Sequence, residues 1–184
     1  MKQWTSLLLI FFLLVGTAHA QARYFTRTGQ ISFSSKGLLE TIRAHNKTVT
    51  CVLDATSGNI QFSVMMRGFE FKKALMQEHF NENYVESDKY PNADLKGQII
   101  SSPLPDLTRD GVYPVKVKGK LTIHGVTREL TTDGTITVKQ SSVQAEAAFN
   151  ILLSDYQIKV PSIVTNSLSN TVNIAVTCSL QPLQ

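Results

Sequence analysis

From Arg23 onward the chain alternates apolar and polar residues with a period of two, the spacing of a strand that is dry on one face and wet on the other. In GVYPVKVKGKLTIHG, residues 111–125, Tyr113, Val115, Val117, Gly119, Leu121 and Ile123 share one face, and Lys116, Lys118, Lys120 and Thr122 share the other. TVNIAVTCSL, residues 171–180, repeats the pattern with Val172, Ile174, Val176, Cys178 and Leu180 inward, as does GNIQFSVMM with Ile60, Phe62, Val64 and Met66. Weaker examples run from Phe25 to Phe33, over Val49, Cys51 and Leu53, from Val143 to Ala147, and from Phe149 to Ile151. Turn-forming stretches separate these runs: DATSGN at 54–59, TRDG at 108–111, TTDG at 131–134 and SLSN at 167–170.

The pattern predicts about eight strands, mostly joined to their sequence neighbours. Eight antiparallel strands with a common apolar face make a sandwich or a barrel, and only closure removes the exposed edges. The expected fold is therefore all-β, an eight-stranded antiparallel β-barrel with one short helical segment. Such a barrel encloses room for its own side chains or for one small ligand. The Pro-rich stretch SSPLPDLTRDG, residues 101–111, reads as a loop at one end.

Ahead of the strands stands MKQWTSLLLIFFLLVGTAHAQ, with Lys2 before an apolar run from Leu7 to Val15 and small residues at Ala18 and Ala20. This is the pattern of a secretory signal peptide cleaved after Ala20, leaving one domain over residues 21–184. The mature protein is expected to be soluble and periplasmic or secreted. Eighteen Lys and Arg against fourteen Asp and Glu give a net charge of +4, one unit of which leaves with Lys2. The basic residues are scattered, which argues against nucleic acid as a partner.

Export would carry Cys51 and Cys178 into an oxidising compartment, where a disulfide between them is permitted. Two separate buried thiols behaving as small hydrophobes fit the sequence equally well. His45, His79 and His124 are widely spaced and form no HExxH pair, so no metal or other cofactor is expected. His124 reads as a turn residue whose ring bonds to nearby backbone. No Ser sits in a GxSxG elbow, and neither Cys precedes a helix. Glu78 and Glu82, one helical turn apart, read as surface charge, and the chain is not expected to be an enzyme.

One stretch interrupts the alternation. In FKKALMQEHFNENYVESDKYPNADLKG, residues 71–97, Ala74, Leu75, Glu78, His79 and Glu82 fall at helical spacings. Phe71, Met76, Phe80 and Tyr84 add bulk that needs an apolar surface. The spacing predicts a helix over roughly 72–83 lying across a barrel mouth, and Pro91 then launches a strand over Ala93–Ile99. The segment either plugs an ordinary core or closes a ligand cavity.

Three stretches resemble the YceI-like family of exported lipid-binding proteins. They are Glu78-His79-Phe80 with Tyr84 and Tyr90-Pro91, then GKLTIHGVTREL at 119–130, and more weakly SDYQI at 154–158, where this chain has Ser154 in place of the family's Arg. The resemblance implies an extended, lipocalin-like barrel holding a polyisoprenoid or related amphiphilic lipid, and a homodimer. On that reading His79, Tyr84 and Tyr90 are candidates to orient a headgroup. Phe71, Leu75, Met76 and Phe80 would supply wall from the helical segment. Phe62, Met66, Tyr113, Val115, Val117, Phe149 and Ile174 would supply it from the strands.

Overall fold

The computed structural model describes residues 23–38, 40–160 and 168–183; the segment read as a signal peptide, residues 1–20, lies outside them. The chain runs through β1 (Arg23–Lys36), β2 (Thr41–Asp54), β3 (Asn59–Met65) and a two-residue β4 (Glu70–Phe71). It continues with the helix α1 (Ala74–His79), then β5 (Asn92–Ile99), β6 (Gly111–Ile123), β7 (Val126–Lys139), β8 (Ser142–Leu152) and β9 (Thr171–Pro182). The sheet order is β1-β9-β8-β7-β6-β5-β3-β2, and β1 also pairs with β2, so eight antiparallel strands close into a barrel. The ninth strand, β4, adds to β2 through Ala44 and Phe71. Closure is the expected outcome for strands this long with one apolar face.

The turns that join the strands show where local chemistry sets the register. Asp54 accepts the backbone N–H groups of Thr56 and Ser57 at 3.0 Å each, folding the β2–β3 connection. The β6–β7 hairpin turns through His124 and Gly125, both at positive φ (52° and 74°), which is the two-residue geometry that follows the strand twist. A Cβ on Gly125 would also lie 2.5 Å from the Tyr90 ring. The stretch 131–134, expected as a turn, is instead strand: β7 runs through it, with Asp133 paired to Lys116 on the outer face. Its Gly134 lets the neighbouring strand approach, since a Cβ there would meet the Glu146 carbonyl at 2.8 Å. The β7–β8 turn falls at Gln140–Ser141, again both at positive φ, with no Gly or Asn to announce it.

The barrel is built differently at its two ends. At one end Leu53, Ile60, Ile99, Val115, Val117, Ile136, Val138, Val143 and Leu180 are all buried and interdigitate. The Pro-rich loop after β5 contributes buried Leu107 and half-buried Leu104 to this packing. At the other end buried residues such as Leu95, Leu121 and Ile174 are mixed with half-buried Ile31, Phe62, Phe149 and Ile151, and the 66–91 segment crosses over them. On β8 the change occurs along one face of one strand: Val143 and Ala145 are buried, whereas Ala147, Phe149 and Ile151 are not.

Candidate functional site

The inward face at this end encloses a cavity of about 340 Å³. Strand residues such as Ile31, Phe62, Leu95, Leu121, Phe149 and Ile174 form its walls. Ala93, Ala147 and Thr132 stand where larger side chains would fill the space, and this is why the barrel is open here. Among the described residues, Glu40, His79 and Thr132 are the lining members without an apolar or aromatic side chain. The Thr132 hydroxyl is already used, donating to the Asp133 carbonyl at 3.0 Å.

The mouth is covered by a lid. After β4 the chain forms α1 and then a π-helical turn, Phe80–Tyr84, so the helical segment falls where its spacing predicts, but its second half is wound wider than an α-helix. Between Lys73 and Ser87 its backbone hydrogen bonds are internal, as in Met76 N–H to Lys73 O and Val85 N–H to Phe80 O. Contact with the barrel is made by side chains. Phe80 stacks on Phe33 at 5.6 Å and meets Phe71 at 5.0 Å and Phe69 at 5.5 Å, so four phenylalanines form one cluster under the lid. Lys73 donates to Glu40 at 3.3 Å, tying the helix start to the end of the β1–β2 connection.

Both ends of the lid are anchored. Where it leaves β3, the buried Asn46 amide donates to the Met65 carbonyl at 2.8 Å, and the Met66 N–H donates to the Pro91 carbonyl at 2.8 Å. Where it returns, the His124 ring joins three segments. Its Nε2 lies 2.7 Å from a Glu86 carboxylate oxygen, its Nδ1 lies 3.1 Å from the Tyr156 carbonyl, and Tyr90 packs edge-on at 4.7 Å. His124 is thus a turn residue bonded to backbone as expected, although that backbone is distant in sequence.

Phe62, Met66, Phe71, Met76, His79, Phe80, Tyr84, Phe149 and Ile174 lie together around the cavity. Five other candidates do not line it. Leu75 points outward and is 60% exposed, on a different face of α1 from cavity-lining Met76. Tyr90 is held against His124 beside the mouth. Tyr113, Val115 and Val117 face inward at the packed end, where the Tyr113 hydroxyl donates to the Arg109 carbonyl at 2.9 Å. Sequence reading missed Phe33 and Phe69, whose aromatic clustering is a tertiary fact, and the small residues Ala93 and Ala147, whose inward positions were the available signal.

The polar groups at the mouth differ in how they are used. Neither the His79 ring nor the Tyr84 hydroxyl has a hydrogen-bond partner among the described residues. Burial pushes the Tyr84 phenol above its ordinary range, so it remains an O–H donor at neutral pH. Among the described residues no cluster of three or more His, Cys, Asp or Glu side chains is arranged to hold a metal.

A model of the YceI-like domain matches residues 17–180. The chain belongs to the YceI-like family. Solved structures share its fold at low identity. A polyisoprenoid binding domain from Saccharophagus degradans superposes with a TM-score of 0.75 at 14% identity, covering 89% of this chain and 99% of that one. BcnA of Burkholderia cenocepacia gives 0.69 at 17% identity, over 83% and 96% of the two chains. The YCEI protein of Campylobacter jejuni gives 0.62 at 15% identity, over 79% and 87%. No curated protein sequence matches the chain. In this YceI-like barrel the three stretches that carried the resemblance converge at the mouth. His79 and Phe80 end α1 and begin the π-helical turn, His124 turns the β6–β7 hairpin, and Tyr156 follows β8. Arg128 strengthens that junction by donating to the Asp155 carbonyl at 2.9 Å.

Proposed function

We propose that this YceI-like protein is an exported, non-enzymatic carrier that holds a hydrophobic or amphiphilic small molecule, such as a polyisoprenoid lipid, in the open half of its barrel. The observation that carries the proposal is the cavity itself: about 340 Å³, walled almost entirely by aliphatic and aromatic side chains and closed by a lid. An unfilled apolar space forfeits the contacts that its lining atoms would otherwise make. A lipid tail restores them and gains about 25 cal/mol for each Å² of apolar surface removed from water, before ordering costs. The S. degradans neighbour, a polyisoprenoid binding domain by description, supports the same ligand class.

The unpartnered His79 ring and Tyr84 hydroxyl orient the polar end, which is the usual division of labour in an apolar pocket. Exchange proceeds by movement of the lid, whose middle is attached to the barrel through side chains alone. Native mass spectrometry of the protein purified from its own envelope fraction, with organic extraction of the bound material, tests the proposal. A stoichiometric isoprenoid or similar amphiphile is expected. Protein with nothing bound, even after incubation with envelope lipids, would overturn the carrier reading and leave a structural barrel with a plug.

A further inference from the structure

The two cysteines lie where the packed end meets the cavity, and the barrel brings them together. Cys51 is on β2 and Cys178 on β9, strands that are not neighbours in the sheet because β1 runs between them. β1 is irregular at this point: its ladder with β2 slips between Thr26 and Gly29, and its ladder with β9 slips between Phe25 and Gln30. The bulge lets the flanking strands close over β1. Gly29 supplies the room, since a Cβ there would stand 2.6 Å from the Cys178 sulfur. The two free thiols are fully buried at 0% exposure and lie close enough for each to perturb the other.

We propose that Cys51 and Cys178 are a disulfide-forming pair, a covalent staple that ties β2 to β9 across the bulge of β1. The inference stands apart from ligand binding, because neither cysteine lines the cavity, although the neighbouring Val49, Phe62 and Val176 do. Oxidation takes place by exchange with a disulfide-bearing oxidant, either a protein or a small molecule. The thiolate of one cysteine attacks a sulfur of that disulfide and expels one thiolate. The second cysteine then attacks the resulting mixed disulfide and expels the other. Two electrons and two protons pass from the cysteines to the oxidant, which leaves as a dithiol or as two thiols. The exchange precedes closure of the barrel, because neither sulfur is reachable afterwards. The Cys178 hydrogen bond and burial push the Cys51 thiol far above its ordinary range, so in the closed, reduced barrel that thiol is inert.

The staple closes a loop of well over a hundred residues, the case in which constraint of the unfolded chain is greatest. The test uses the full chain, denatured, reduced and refolded in a glutathione redox buffer. The product is denatured again and treated with a thiol-alkylating reagent before and after reduction, then weighed intact. The expected result is a monomer that takes up no reagent before reduction and two equivalents after it. Its Tm should fall by about 10 °C or more when the staple is reduced. A folded product that takes up two equivalents without reduction would show that the cysteines merely fill the seam. Disulfide-linked dimers on a non-reducing gel would overturn the intramolecular assignment. Because the count is made on the wild-type chain, failure of a Cys178→Ala variant to fold leaves the test intact. A lipid-free protein with an intact staple would defeat the carrier reading alone.

Discussion

The two halves of this barrel are made from the same strands and the same alternation, yet one is solid and the other is hollow. At the solid end Leu53 and Ile136 are almost completely buried, and a Pro-rich loop adds Leu107 from outside the sheet. At the hollow end Ala93, Ala147 and Thr132 occupy inward positions, and the cover is a helical lid resting on phenylalanines. The period of two therefore decides which side of a strand is dry. Whether that side is filled depends on side-chain volume and on what closes each end. The halves divide the work accordingly: one holds the barrel closed, and the other leaves space.

The largest expected effect comes from removing packing at the solid end. Leu53→Ala should cost about 2–5 kcal/mol, because the surrounding strands cannot collapse into the space left behind. Phe149→Ala removes a larger side chain from the hollow half and should nevertheless cost less, under about 2 kcal/mol in delipidated protein, since its ring already faces a void. Urea unfolding of both variants makes the comparison. Equal losses would mean that the two halves are packed alike in solution.

Much of this was legible in the residues, and the part that was not has a common cause. The barrel class, the strand over Ala93–Ile99 and the interruption at 71–90 follow from alternation, Pro91 and helical spacing, which are local. The turn misplaced at 131–134 shows the reverse. An Asp-Gly pair is a turn signal only when the strand has reached its end, and here Asp133 and Gly134 serve the pairing of β7 with β6 and β8. Val115 and Val117 were indistinguishable from wall residues by period, because the position of the hollow along the barrel axis depends on all eight strands together. The motif residues His79, Tyr90 and His124 were visible individually. Their partners Glu86 and the Tyr156 carbonyl were not, since no local rule joins residues 32 and 38 positions from His124.

That junction makes the next comparison, between the two ends of the lid. His124→Asn retains a residue suited to positive φ while removing both ring hydrogen bonds and the packing on Tyr90, and should destabilise by about 1–3 kcal/mol. Its signature should be regional: hydrogen exchange should rise in residues 85–91 and at the β6–β7 turn, with the solid end unchanged. Uniform loss of protection would show that the junction supports the whole barrel instead of the lid.

A smaller effect on stability, with a larger one on ligand uptake, should come from filling the hollow. Ala147→Leu puts an aliphatic side chain into the cavity and should weaken lipid uptake about tenfold, equivalent to about 1.4 kcal/mol. The folded state should be changed by less than about 1.5 kcal/mol, because the added methylenes enter space and not packing. A loss of stability well beyond that, with uptake retained, would place the ligand elsewhere.

The finest comparison is within the lid itself, between neighbours in sequence that point in opposite directions. Met76 lines the cavity, whereas Leu75 is 60% exposed on the outer side of α1. Leu75→Gln removes an apolar side chain that touches neither cavity nor core and should change stability by no more than about 0.5 kcal/mol, with lipid uptake unaltered. Met76→Gln brings an amide into the apolar wall, where it finds no partner and resists burial by a lipid tail, so uptake should fall while the fold persists. The pair is matched in helix position and in the residue introduced, and measured uptake therefore reports orientation alone. If Leu75→Gln were the variant that lost the lipid, the ligand would contact the outer surface of the lid, and the cavity beneath it would not be the site.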